Sequence, residues 1–292
     1  MTPKVPRPPF ERARLVGAGP GACALAHALA GRAAARTEWI PEHDEEPVPE
    51  VRILGRQDGL APDADELPRV DLLVLVPAKS NTVETLLWVG RHPGALVIVV
   101  SDSLAEAHAS AAAATGLASE CFASAAHPLL TPRLAAEERP GEAFVGRPVA
   151  IAAAPRAPEA AIAGAERFWI LLGAIPVIAE PEALDDRAAI SEWLPDWSAA
   201  ALARVAAAGV ARGSSEELLT GPAFLEATAL LTREPEISMA SAVRRARRIV
   251  PAMRALACEL EQAASLLEAG NLSALEEWLA PARSFRRRFP DV

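Results

Sequence analysis

The alternation of apolar and polar positions changes character about two thirds of the way along the chain. Near the start, Ala13-Arg-Leu-Val16 is a short apolar stretch that runs into Gly17-Ala-Gly-Pro-Gly-Ala22. The next segment, Cys23-Ala-Leu-Ala-His-Ala-Leu-Ala30, is built of helix-favouring residues. The order predicted is strand, tight turn, helix. After a polar, proline-interrupted segment from Thr37 to Glu50, Val51-Arg-Ile-Leu54 reads as the second strand, ending at Gly55-Arg56. Val70-Asp-Leu-Leu-Val-Leu-Val76 and Ala95-Leu-Val-Ile-Val-Val100 are apolar runs bounded by Pro or Gly, the mark of strands covered on both faces of a parallel sheet. Strands are also expected over 121–126, 148–153 and 174–178, with a helix over 158–172, so strand and helix continue to alternate.

From about Glu182 the pattern is helical throughout, with helices expected at 182–193, 196–210, 214–231, 236–269 with a kink at Pro251, and 272–288. Gly270-Asn271 separates the last two. The expected class is therefore α/β followed by all-α, divided as 11–180 and 181–292. In the later part, Val243, Ala246 and Val250 form an apolar stripe with arginines beside it. Residues 238–292 hold nine basic and six acidic side chains, but no aromatic residue is interleaved among the arginines of 244–248 for base stacking, so a solvated face or inter-subunit ion pairs is the better reading than RNA contact.

Composition narrows the function classes. At 292 residues, 51% apolar and 23% charged, the chain has the mixture of a two-domain globular protein and not of a disordered one. The net charge of −9 argues against a nucleic-acid partner. Ten acidic residues between 38 and 66 mark a solvated rim. Cys23, Cys121 and Cys258 lie far apart with no CxxC pair, so neither a disulfide framework nor a thiolate metal site is indicated, and no metal is expected. The first ten residues lack the apolar core of a secretory signal, and no window reaches about 18 uninterrupted apolar residues. A cytoplasmic protein without membrane contact is expected.

Gly17-x-Gly19-x-x-Ala22 matches the dinucleotide fingerprint in its Gly/Ala form. The first glycine permits the turn, the second lets backbone approach a pyrophosphate, and the small third residue packs helix on strand. The helix N-terminus adds free N–H groups and the positive end of its dipole. The competing reading is a glycine-rich turn in an α/β domain that has lost its ligand. The strand-end position that commonly carries an acid for the ribose falls at Gly55, followed by Arg56. Arg56 suits a 2′-phosphate, Asp58 can turn back toward the ribose, and Arg56 can equally be a solvated loop residue. NAD and NADP both remain open.

These pieces, with others in order along the chain, resemble the prephenate/arogenate dehydrogenase family of tyrosine biosynthesis. The resemblance runs through Leu15 to Gly19, Val51 to Leu54, Asp71 to Pro77, Val99 to Asp102, Ala126-His-Pro-Leu129, Phe144 to Pro148 and Leu172-Gly-Ala174. It continues with Asp185, Leu194-Pro195, Gly221-Pro-Ala-Phe224, Thr228 and Glu234-Pro235. It implies a Rossmann-type domain followed by a helical dimerisation domain, and an NAD(P)-dependent oxidative decarboxylation of a cyclohexadienol. It also implies that Gly17, Ala18, Gly19, Pro20, Gly21, Ala22, Arg56, Val76, Pro77 and Asp102 hold the nucleotide, and that the chain is a homodimer through its C-terminal helices.

The resemblance makes His127 the catalytic histidine. Oxidising a carbinol sends hydride to the nicotinamide, and a base near neutral pKa must take the hydroxyl proton. The substrate side departs from the family. Leu184, Trp193 and Asp196 stand where the family has histidines, Ala229 replaces an arginine, and Ala105 replaces a serine. An anionic pocket thereby loses counter-charges. Asp196 either repels a dianionic substrate, lies outside the pocket, or recognises an amino group such as arogenate carries. Arg233 and Arg187 are the candidate compensating cations, and each can also be a solvated helix residue. The alternative function is a catalytically weakened paralogue that keeps the fold for regulation or partner binding.

Overall fold

The computed structural model describes residues 10–17, 20–30, 34–41, 48, 51–54, 67–76, 94–101, 122–126, 140–153, 157–209, 221–232, 243 and 245–289. The chain divides into two compact units, residues 1–188 and 189–292.

The first unit is built on one sheet. Its strands are β1 (Phe10–Gly17), β2 (Ala34–Ile40), β3 (Val51–Ile53), β4 (Leu72–Val76), β5 (Leu96–Ser101), β6 (Phe122–Ala126), β7 (Pro148–Ala153) and β8 (Ile175–Ile178). They lie in the order β3-β2-β1-β4-β5-β6-β7-β8. The first six are mutually parallel in the order 3-2-1-4-5-6 of doubly wound dinucleotide-binding sheets. β7 runs antiparallel to β6, and β8 parallel to β7. β7 and β8 thus run against the six parallel strands.

The other correction concerns the second strand. Val51–Ile53 is the third strand, at the edge of the sheet, and the neighbour of β1 is Ala34–Ile40. The segment Ala-Ala-Arg-Thr-Glu-Trp-Ile carries three polar side chains in a row, which hides it from a search for apolar runs. Its Glu38 lies opposite Arg14 in the β1–β2 register. The Arg14 guanidinium donates from Nε (3.2 Å) and Nη2 to the Glu38 carboxylate, and from Nη2 to the Pro68 carbonyl at 3.0 Å. A charge that would forbid burial alone is accepted because its partner is buried on the adjacent strand.

The two faces alternate as a pleated sheet requires. Leu15, Trp39, Leu72, Val74 and Ile98 pack with Ala22, Leu25 and Leu29 of helix α1 (Pro20–Leu29) and with Phe168, Trp169 and Leu172 at helix α2 (Glu159–Leu171). On the opposite face Val16, Ile40, Leu73, Leu75, Val97 and Val99 form a second cluster. All five residues of β4 are buried. Phe144, from the Phe144-to-Pro148 stretch, packs its ring 5.5 Å from that of Trp169, so that stretch serves the core. Helix α3 (Pro181–Ala188) completes the unit.

The second unit is helical. A π-helical turn, Ala189–Trp193, leads into α4 (Leu194–Gly209), followed by α5 (Pro222–Thr228) with a 3-10 turn at Ala229–Thr232, then α6 (Ala246–Glu268) and α7 (Leu272–Arg286). Helix α6 continues through Pro251. Gly270, at φ +61°, ends it, and the Asn271 side chain accepts from the Ala274 N–H at 3.1 Å to open α7. The Trp278 indole donates to Glu259 at 2.9 Å and ties α7 to α6. Among the described residues no helix is long and apolar enough to cross a membrane.

Candidate functional site

Because β1, β2, β4, β5 and β6 are parallel, their C-terminal ends share one edge of the sheet. β1 ends at Gly17, opposite Val76 at the end of β4. Strand order reverses between β1 and β4, the place where doubly wound sheets open a crevice for a ligand. Gly17 has φ +143°, and a Cβ there would fall 2.1 Å from the Val76 carbonyl oxygen. Only glycine fits. Helix α1 begins three residues later at Pro20, whose fixed φ suits a first helical position. Gly21 and Ala22 are buried against the sheet, with Ala22 fully so, which explains the small residue. The end of the strand and the start of the helix therefore stand as a dinucleotide fold requires, and Gly17, Gly21 and Ala22 fit a bound dinucleotide.

Trp39, on β2, was not singled out from sequence. Its side chain is fully buried, and its indole N–H donates to the Gly17 carbonyl at 3.0 Å. The bond pins the last peptide of β1 just before the turn. Nothing local in the sequence signals it, since donor and acceptor lie 22 residues apart.

Of the other nucleotide-side residues, Val76 is buried at the end of β4. Ala18, Gly19, Pro77, Asp102 and Arg56 lie outside the described residues. The sequence argument for Arg56 rested on Val51-to-Leu54 being the second strand; that strand is the third. The chain leaves the true second strand at Ile40 and continues Pro41-Glu42-His43-Asp44-Glu45-Glu46. His127 also lies outside the described residues, as does Ala105, but β6 ends at Ala126, immediately before His127, on the same edge as the glycine turn.

In the first unit, α3 places Leu184 half-buried, Asp185 buried and Arg187 exposed. In the second unit, Trp193 is buried in the π-helical turn, and Arg245 stacks on it with Cζ 4.6 Å from the ring centroid. Arg245 is itself 7% exposed, so this arginine departs from the solvated face expected for its segment. A guanidinium over an indole face is a favourable cation–π pair. Glu192 precedes Trp193, and burial pushes its carboxyl pKa up; the Ser191 hydroxyl opposes the shift and Asp196 adds to it. Asp196 is half-buried in the first turn of α4. The Thr228 hydroxyl donates to the Phe224 carbonyl at 2.8 Å, leaving it occupied within α5, and Ala229 follows. Arg233 lies outside the described residues. Among the described residues no three His, Cys, Asp or Glu side chains gather as metal ligands.

No protein-family model and no curated protein matches the sequence. Solved structures do match over nearly the whole chain. Arogenate dehydrogenase from Synechocystis superposes with a TM-score of 0.73 at 18% identity, covering 96% of this chain and 100% of that one. Prephenate dehydrogenase from Aquifex aeolicus, solved with hydroxyphenyl propionate and NAD+, gives a TM-score of 0.76 at 14% identity, covering 95% and 98%. The chain has the prephenate/arogenate dehydrogenase fold. The likeness spans both the sheet unit and the helical unit, so the order of elements read from the sequence corresponds to a known arrangement.

Proposed function

We propose that the chain is an NAD(P)-dependent oxidoreductase of the prephenate/arogenate dehydrogenase kind, acting in the cytoplasm on a cyclohexadienol of tyrosine biosynthesis or a related pathway. The observation that carries this reading is the Gly17 turn, closed against Val76 at the strand-order reversal of a fold matched end to end by such dehydrogenases. When bound, the nicotinamide nucleotide supplies the hydride acceptor. Gly17, Ala18, Gly19, Gly21 and Ala22 hold its pyrophosphate with backbone N–H groups at the start of α1, and Pro20, which has no N–H to donate, sets the first turn of that helix beside it. Val76, Pro77 and Asp102 line the nucleotide at the strand ends. His127 takes the hydroxyl proton from the substrate carbinol, and the ketone that forms lets the ring carboxylate leave as carbon dioxide.

The second strand ends at Ile40 and the acidic run from Glu42 follows it in sequence, so a carboxylate of that run is the candidate partner of the ribose 2′-hydroxyl. That charge favours NAD and repels the 2′-phosphate of NADP. Asp196, with Glu192 beside it, favours a substrate bearing an ammonium group over a purely dianionic one, and Arg233 is the candidate carboxylate partner. The chain is read as a homodimer through α6 and α7. Met253, Leu260 and Leu267 recur every seven residues on α6 and remain exposed, the spacing of a helix-packing seam.

A weakened paralogue that binds nucleotide without turnover is the second reading, favoured by the indole of Trp193 filling a position where the family has an imidazole. Incubating the protein with prephenate or arogenate and each nucleotide, and following reduced nicotinamide, separates the two. Turnover that falls by about 10²–10⁴ in His127→Ala supports the dehydrogenase. Nucleotide binding without turnover on either substrate supports the paralogue.

A further inference from the structure

The opposite edge of the sheet, where the parallel strands begin, carries a second feature that the dehydrogenase reading does not use. A cleft of about 440 Å³ there is lined by Arg12, Arg36 and Arg69, with Glu11, Val70, Asp71 and Gly94. Arg12 and Arg36 are directly opposite in the β1–β2 register. Two residues further along the same strands, on the same face, the next opposed pair is Arg14 and Glu38, joined in a buried ion pair. At the strand starts the sheet therefore sets like charges side by side, which is unfavourable unless a counter-charge is supplied. Among the described residues none of Arg12, Arg36 and Arg69 forms an ion pair.

Neither carboxylate of the cleft forms an ion pair with these arginines. Both Asp71 oxygens are taken by backbone, accepting from the Glu11 N–H at 2.7 Å and the Arg12 N–H at 2.8 Å. Glu11 is exposed at the rim. Three arginines thus line one cleft, against two carboxylates, in a chain whose net charge is −9. Arginine forks match the oxygens of phosphate, with two parallel N–H···O bonds available from each. The volume lies within the range of small-ligand clefts.

We propose that this cleft is an anion site for a small phosphate-bearing ligand, with Arg12, Arg36 and Arg69 as its donors. It lies on the sheet edge away from the Gly17 turn and stands whether or not the chain is a dehydrogenase. Inorganic pyrophosphate is the probe, with inorganic phosphate as a second arm that distinguishes a single phosphate from a diphosphate. The full chain is titrated calorimetrically at low ionic strength, with NAD present in excess so that the glycine turn does not compete.

The wild type takes up pyrophosphate, and Arg36→Ala and Arg69→Ala each weaken uptake by about tenfold or more. Thermal melts give an independent readout: pyrophosphate raises the midpoint of the wild type, and does so less in either arginine variant. Equal affinity in wild type and both arginine variants overturns the proposal, as does a wild type that takes up neither anion.

Discussion

Trp39 is buried at the strand end in the sheet unit, and Glu192 is half-buried in the helical unit. The indole of Trp39 holds the Gly17 carbonyl from beneath the turn. Trp39→Phe keeps most of the packing but orphans that carbonyl, costing about 1–3 kcal/mol of stability. Its nucleotide dissociation constant is expected to rise, with a smaller change in kcat, as measured by calorimetry beside steady-state kinetics. An unchanged dissociation constant would show that the bond serves the core alone. Glu192 behaves differently. Its raised pKa means that the folded chain holds this proton more tightly than the unfolded chain, so stability falls as pH rises through the interval between the ordinary and the raised value. Glu192→Gln is expected to melt a few degrees above the wild type near neutral pH and to lose that advantage below about pH 4. Neither side chain was legible in advance. Trp39 meets its acceptor across two strands, and the shift at Glu192 depends on how a π-helical turn buries it.

Strands covered on both faces were plain in the sequence because every position had to be apolar; β4 and β5 were read that way and are buried as read. The end of β1 was equally plain, since backbone sterics demand glycine at Gly17. β2 escaped because its polarity is compensated from outside. Arg14 of β1 neutralises Glu38, and no inspection of residues 34–40 alone can reveal a partner 24 residues earlier. Missing that strand moved the ribose-facing position from the end of β2 to Arg56. The pairing itself is testable: Glu38→Ala leaves a buried, uncompensated guanidinium and is expected to cost about 3–5 kcal/mol, read as a lowered midpoint in urea. A midpoint equal to that of the wild type would mean that Arg14 is reached by solvent. In the helical unit, Arg245 was read as one of several arginines on a polar face. Its burial follows from Trp193, 52 positions earlier.

Taken as one chain, the protein joins a sheet unit whose first strand ends at Gly17 to a helical unit with exposed apolar side chains every seven residues along α6. The two-part division and the fold class were visible in the change of periodicity, whereas the chemistry of the substrate side was visible only as a set of replacements. If α6 carries the dimer seam, light scattering on the wild type gives twice the chain mass, and Leu260→Glu converts it to monomer. A wild-type monomer would reassign that seam. Both functional readings, the dehydrogenase and the weakened paralogue, require the Gly17 turn to hold a dinucleotide. The most direct measurement is therefore a calorimetric titration of the purified chain with NAD and NADP, run beside Gly17→Ala. The expected result is saturable binding by the wild type, tighter for NAD, and its loss in the variant. A wild type that binds neither nucleotide, or a Gly17→Ala chain that binds as the wild type does, contradicts the account.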